Sequence, residues 1–118
     1  YMSQLNLTAD QILAFAVEAL EDVKGDKITV LNVGSHTDMM DYMVICTGTS
    51  KRHVNALGQN VFEHLKGKGL QPLGSEGRGM GSDWVLVDLH DVVVHVMTEE
   101  ARAFYDLEKL WDIKPEQI

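Results

Sequence analysis

Between Trp84 and Met97 the chain reads Trp-Val-Leu-Val-Asp-Leu-His-Asp-Val-Val-Val-His-Val-Met. Two runs rich in β-branched residues flank His90-Asp91, a pattern that predicts a β-hairpin. With a loop at His90-Asp91, Leu89 faces Val92, Val87 faces Val94 and Val85 faces Val96. Side chains alternate along a strand, so these six share one apolar face that belongs in a core. The opposite face pairs Trp84 with Met97, Leu86 with His95 and Asp88 with Val93, so an indole, an imidazole and a carboxylate share one surface. Short hairpin loops need positive φ at their centre, which His and Asp tolerate better than most side chains but less well than Gly. A four-residue loop starting at Asp88 would leave both faces unchanged.

Upstream, Thr8-Ala9-Asp10-Gln11 has the form of a capping box, and Ile12, Leu13, Ala16, Leu20 and Val23 then recur at helical spacing up to a stop at Lys24-Gly25-Asp26. Ile28 to Val33 predicts a strand. Tyr42 to Thr47 is nearly all apolar, as expected of a strand buried on both faces at the centre of a sheet. Ser50 is placed to cap a second helix with a stripe of Val54, Leu57, Val61, Phe62 and Leu65, ended by Gly67 and Gly69. Leu70 to Leu73 predicts a short strand, and the glycine-rich stretch Gly74 to Asp83 a mobile loop. Thr98-Glu99-Glu100 opens a third helix with Phe104, Leu107 and Trp111 on one face, and Pro115 blocks its continuation. This order predicts a single α/β domain over residues 1–118, with a core from about 8 to 112 and a mixed sheet packed with helices.

Size and composition are those of one globular domain: 118 residues, 45% of them hydrophobic, with no apolar run long enough to cross a membrane. No basic segment followed by an apolar block marks a secretory signal, and the lone Cys46 fits a buried small hydrophobe in a reducing compartment; a cytoplasmic protein is expected. The net charge of −8 and the scatter of the ten Lys and Arg argue against direct, sequence-specific nucleic-acid binding and favour a basic partner.

Few residues suggest chemistry. Gly74 to Gly81 lacks the Gly-Lys-Ser/Thr of a phosphate loop and precedes a strand, not a helix. Thr47-Gly48-Thr49-Ser50, at a strand-to-helix junction, is similar to the Gly-Ser turn of nucleotidyltransferases, but no carboxylate pair that would hold metal ions follows it. His36, His53, His64, His90 and His95 form no metal-ligand spacing, and His53 is expected to be exposed. His95 lies one diagonal step from Asp88, within reach of an Asp–His hydrogen bond, but no Ser or Cys completes a nucleophile–base pair. No catalytic residue, metal or cofactor is expected. Trp84, at a strand start beside the glycine loop and on the less apolar face, is a candidate interface anchor.

Three ordered signatures then carry a resemblance. The first is Asp41-Tyr42-Met43-Val44-Ile45-Cys46-Thr47-Gly48-Thr49-Ser50 followed by Arg52-His53; the second is Glu76-Gly77, Trp84-Val85-Leu86-Val87-Asp88 and Asp91-Val92-Val93-Val94-His95-Val96. The third is Arg102 with Phe104-Tyr105-Asp106-Leu107-Glu108-Lys109-Leu110-Trp111. From about Asp10 to Trp111 the chain resembles the ribosomal silencing factor RsfS, or Iojap-related, family. The resemblance implies a nucleotidyltransferase-like topology without the catalytic carboxylates. It also implies a non-enzymatic role: binding the fourteenth protein of the large ribosomal subunit at the intersubunit face, blocking subunit joining and lowering translation when nutrients are scarce. Carried over by position, it marks Trp84, Asp88, His95, Tyr105, Glu108 and Trp111 as partner-binding, with Asp41, Tyr42, Glu76 and Gly77 in second rank. His90 stands where the family usually has Gly, and Met43 and Met97 where an aromatic is common. Three other readings remain open: a nucleotidyltransferase-like enzyme, a large-subunit assembly factor without anti-association activity, and a homodimer using the mixed sheet face.

Overall fold

The hairpin forms with the register its pattern predicts: Val85 opposes Val96, Val87 opposes Val94, and Leu86 opposes His95. In the computed structural model, which describes residues 7–78 and 81–111, its strands are β4 (Trp84–Asp88) and β5 (Val92–Thr98). The Leu89 amide donates to the Val92 carbonyl at 2.8 Å, so the loop is the two residues His90 and Asp91. His90 carries the positive φ, +76°, that the tight turn requires.

The other elements are α1 (Ala9–Asp22), β1 (Asp26–Asn32), β2 (Tyr42–Gly48), α2 (Lys51–Gly67), β3 (Gly74–Glu76), α3 (Glu99–Tyr105) and α4 (Leu107–Trp111). The five strands lie in the order β1-β2-β5-β4-β3, with β2 and β5 parallel and the other pairs antiparallel. β2 is buried on both faces as expected, but β5 occupies the middle. The tight hairpin places β4 on one edge of β5, and the crossover through α2 returns the chain to lay β5 along β2.

One sheet face packs under α1 and α2. Val44, Cys46, Val85, Val87, Leu89, Val92, Val94 and Val96 are sealed there against Ile12, Leu20, Leu57 and Val61, each large side chain contributing roughly 1.5–3 kcal/mol of burial free energy. Burial pushes the Cys46 thiol up to about 12, which keeps it protonated and unreactive in the folded chain. The second face is smaller. Leu31, Val33, Met43, Ile45 and Met97 pack there with Ala101 of α3, flanked by Met40, Trp84 and Leu107.

The helix starts match the sequence. Thr8 and Gln11 cap α1 reciprocally, at 2.9 and 3.1 Å; Ser50 Oγ accepts from the His53 amide at 3.1 Å, and Thr98 Oγ1 from the Ala101 amide at 3.2 Å. Other expectations are corrected. The short strand is Gly74–Glu76, not Leu70 to Leu73: Leu70 plugs the core, and Gly-Ser-Glu needs only its backbone to pair at a sheet edge. The described part of the glycine stretch is accordingly held in place. Arg78 stacks 3.8 Å from the Phe62 ring centroid and donates to Gln59 Oε1 at 2.6 Å and Ser75 Oγ at 3.2 Å.

The third helix is not continuous. Asp106 adopts the left-handed conformation (φ +48°) and separates α3 from α4. Asp reaches this region more readily than most residues. The break parts the expected stripe: Leu107 packs on the second core, whereas Phe104 is 81% exposed. Trp111 ends α4, but its side chain, Pro115 and the expected core limit at residue 112 lie outside the described residues.

Candidate docking surface

Four rings climb from the second sheet face to solvent. His95, buried, lies between its strand neighbours Ile45 and Leu86. The Trp84 indole Nε1 donates to His95 Nδ1 at 3.0 Å, with ring centroids 5.7 Å apart. Tyr105 packs against Trp84 with ring centroids 4.5 Å apart and planes inclined at 50°, and Phe104 meets Tyr105 edge-on at 5.0 Å. Burial pushes the His95 imidazole down to about 4, so the ring is neutral near pH 7. An indole N–H bonds only to an unprotonated Nδ1, which puts the remaining ring proton on Nε2.

Beside Trp84, residues Glu76, Gly77, Trp84 and Leu86 line an open depression of about 260 Å³. Gly77 has φ +84°, and a Cβ there would sit 2.5 Å from the Trp84 carbonyl oxygen, so the turn needs both the freedom and the bareness of glycine. Leu86, Asp88 and Val93 remain partly open along the same face, and the α3–α4 segment presents Phe104, Tyr105 and Leu110 to solvent.

Of the residues marked by sequence, Trp84, His95, Tyr105, Glu76 and Gly77 therefore come together; Asp88, Glu108, Asp41 and Tyr42 have other partners, and the Trp111 side chain lies outside the described residues. Asp88 lies toward the hairpin tip. It accepts from the His90 amide at 3.0 Å, so the expected bond to His95 is replaced by the one from Trp84. Glu108 is held by Arg102 at 2.9 Å. Asp41 joins the hairpin tip through its amide, 2.7 Å from the Asp91 carbonyl oxygen. Tyr42 lies on the opposite sheet face and donates to Asp10 of α1 at 2.7 Å. Three residues absent from that set belong to the surface or support it: Leu86 lines the depression, exposed Phe104 ends the ring series, and Arg102 anchors the helical break. Leu86 had a readable signal, since alternation places it on the face of Trp84.

At the carboxyl-terminal ends of β2 and β5, the same end of the sheet as Trp84, a second cleft of about 730 Å³ has Asp26, Gly48, Ser50, Asp83, Glu99 and Glu100 among its lining residues. Here structural roles account for the Thr47–Ser50 turn. Ser50 caps α2, and a Cβ on Gly48 would strike Val54 at 2.8 Å. His53, expected to be exposed, is half-buried: its Nδ1 accepts from the Thr49 amide at 2.8 Å, and its Nε2 bonds the Val23 carbonyl at 2.7 Å. It spans the gap between the α2 start and the α1 end, a long-range contact that periodicity does not encode. Among the described residues no group of three or more His, Cys, Asp or Glu is arranged to hold a metal ion, and no helix is long and apolar enough to cross a membrane.

Comparison with known proteins identifies the family. Residues 6–118 match the family described as "Ribosomal silencing factor during starvation". A protein of Chromobacterium violaceum named ribosomal silencing factor RsfS is 46% identical over 101 residues, spanning 86% of this chain and 82% of that one. Its namesake in Haemophilus influenzae is 40% identical, over 85% and 97% of the two chains. A mouse relative, named "Mitochondrial assembly of ribosomal large subunit protein 1", is 35% identical over 83% of this chain and 44% of its own length. A crystal structure of a Chromobacterium violaceum protein superposes with a TM-score of 0.87 at 42% identity, covering 95% of this chain and 92% of that one. A match over nearly the whole chain, with the fold reproduced, makes this protein a member of the ribosomal silencing factor family.

Proposed function

We propose that the chain binds the large ribosomal subunit in the cytoplasm through the Trp84–Tyr105 surface, seats on the subunit's fourteenth protein at the intersubunit face, and blocks small-subunit joining. The observation that carries this reading is the ring series, which rises from buried His95 to exposed Phe104 beside a depression with Glu76 among its lining residues. Trp and Tyr held in place before docking lose little side-chain entropy when a partner covers them, which suits them to anchor an interface. A ribosomal protein is basic. Its Arg or Lys would stack on the indole and meet Glu76, and the chain's −8 charge would steer the encounter. The mechanism is steric: no bond is made or broken.

The test is co-sedimentation with purified large subunits, followed by addition of small subunits. Trp84→Ala is expected to keep the fold and weaken binding on the order of thirtyfold, with a matching loss of the block on joining. Unchanged co-sedimentation of that variant would overturn the surface assignment. A second reading, subunit assembly without anti-association, is favoured by the name of the mouse relative. It predicts that subunits join normally in the presence of bound protein.

A further inference from the structure

We infer that His95 is a positioning residue for docking: its unprotonated Nδ1 fixes the plane of the Trp84 indole against Tyr105, so a partner senses His95 only through Trp84. The inference rests on the docking reading above and refines the role that the resemblance implies for His95, from direct contact to support.

The geometry separates the two residues. His95 is 7% exposed and Trp84 is half-buried, lining the depression that a partner would fill. Trp84 is the hydrogen-bond partner of His95 among the described residues, at 3.0 Å. Strand β4 fixes the Trp84 Cβ, which leaves two side-chain torsions to set the ring. Besides packing on the second core, the hydrogen bond to His95 and the tilted contact with Tyr105 at 4.5 Å constrain them. Without the acceptor, the part-buried indole N–H loses the hydrogen bond it makes at 3.0 Å. Turning outward to find water would satisfy it, but would break the contact with Tyr105 and reshape the depression.

His95→Leu and His95→Asn distinguish positioning from simple packing. Leu fills the space between Ile45 and Leu86 without an acceptor. Asn places an amide oxygen where Nδ1 lies. With purified large subunits, His95→Leu is expected to bind about tenfold more weakly without a lower melting temperature, and His95→Asn to bind within about threefold of the parent. In a Trp111→Phe background, where Trp84 alone emits, His95→Leu should red-shift the emission and lower its anisotropy, while His95→Asn should leave both unchanged. Parent-like binding by His95→Leu, or an equal loss in both variants, overturns the proposal. If Trp84→Ala binds normally, the docking reading itself fails. The emission measurement then decides positioning alone, and an unshifted His95→Leu spectrum overturns it.

Discussion

Arg102 and Glu108 meet at 2.9 Å across the break between α3 and α4, with side chains 13% and 29% exposed. The same guanidinium donates to the Lys27 carbonyl at 2.6 Å, Thr29 Oγ1 at 2.8 Å and Thr47 Oγ1 at 2.9 Å. One side chain thus ties the helical segment to β1 and β2. The fork geometry of Arg suits this many acceptors, and Lys would not reproduce it. Arg102→Ala strands a part-buried carboxylate and should lower the unfolding free energy by roughly 3 kcal/mol. Glu108→Gln keeps an acceptor and should cost about 1 kcal/mol. Urea titration of both variants measures the difference. Equal midpoints for Arg102→Ala and the parent would remove Arg102 as an anchor.

Acid should weaken the fold through His95. Its imidazole stays neutral in the folded chain down to about pH 4 because burial disfavours the cation, while the unfolded chain takes up that proton near 6.5. Between those values the unfolded state binds more protons, so stability falls as the pH drops from about 6.5 to 4 and is unaffected by this group above 6.5. The full effect is on the order of 3 kcal/mol. Comparing denaturation of the parent and His95→Leu at pH 7 and pH 4.5 isolates it from the carboxylates. The variant should lose less stability between the two pH values, and parallel losses would contradict the assignment.

His90 holds φ +76° at the first position of its turn, where a side chain is strained. Its Nε2 bonds the Gln71 carbonyl at 3.0 Å in an exposed setting, which offsets part of that strain. His90→Gly should therefore gain stability, by a net amount of about 0.5 kcal/mol. Thermal melting of the variant reads this directly; a lower melting temperature would mean that the Gln71 bond outweighs the backbone strain.

The legible parts of the molecule are those in which local pattern and burial agree. Strict alternation around His90-Asp91 specified the hairpin register down to each opposed pair, and Thr8, Ser50 and Thr98 announced their helices by capping chemistry. Strand β3 escaped because Gly-Ser-Glu pairs through backbone atoms and carries no apolar signal. The break at Asp106 escaped because one left-handed residue leaves no trace in periodicity, and with it went the exposure of Phe104. The docking surface was half legible. Trp84 and His95 were placed on one face by alternation, but the choice of Trp84 over Asp88 as the His95 partner depends on the turn that occupies Asp88. The reach of Arg102 to Lys27, Thr29 and Thr47 spans more than fifty residues of chain, beyond any windowed pattern.

Gly58 supplies the last test, because helix propensity and packing predict opposite signs for the same substitution. It lies within α2, where Ala is favoured over Gly by about 1 kcal/mol. A Cβ built there, however, sits 2.5 Å from Val85 Cγ1, against the strand that carries Trp84. Val85 is fully buried and has no room to retreat, so α2 would have to lift from the sheet. Packing should win: Gly58→Ala is expected to destabilise by roughly 1–2 kcal/mol net of propensity. Val85→Ala alone leaves a cavity. In that background the added methyl fills space, so Gly58→Ala should become neutral or stabilising, giving a favourable coupling above about 1 kcal/mol. Urea denaturation of the four proteins in the cycle measures it. Additive effects would mean that helix and sheet are not in contact at this point, and that the level of β4 beneath Trp84 is set elsewhere.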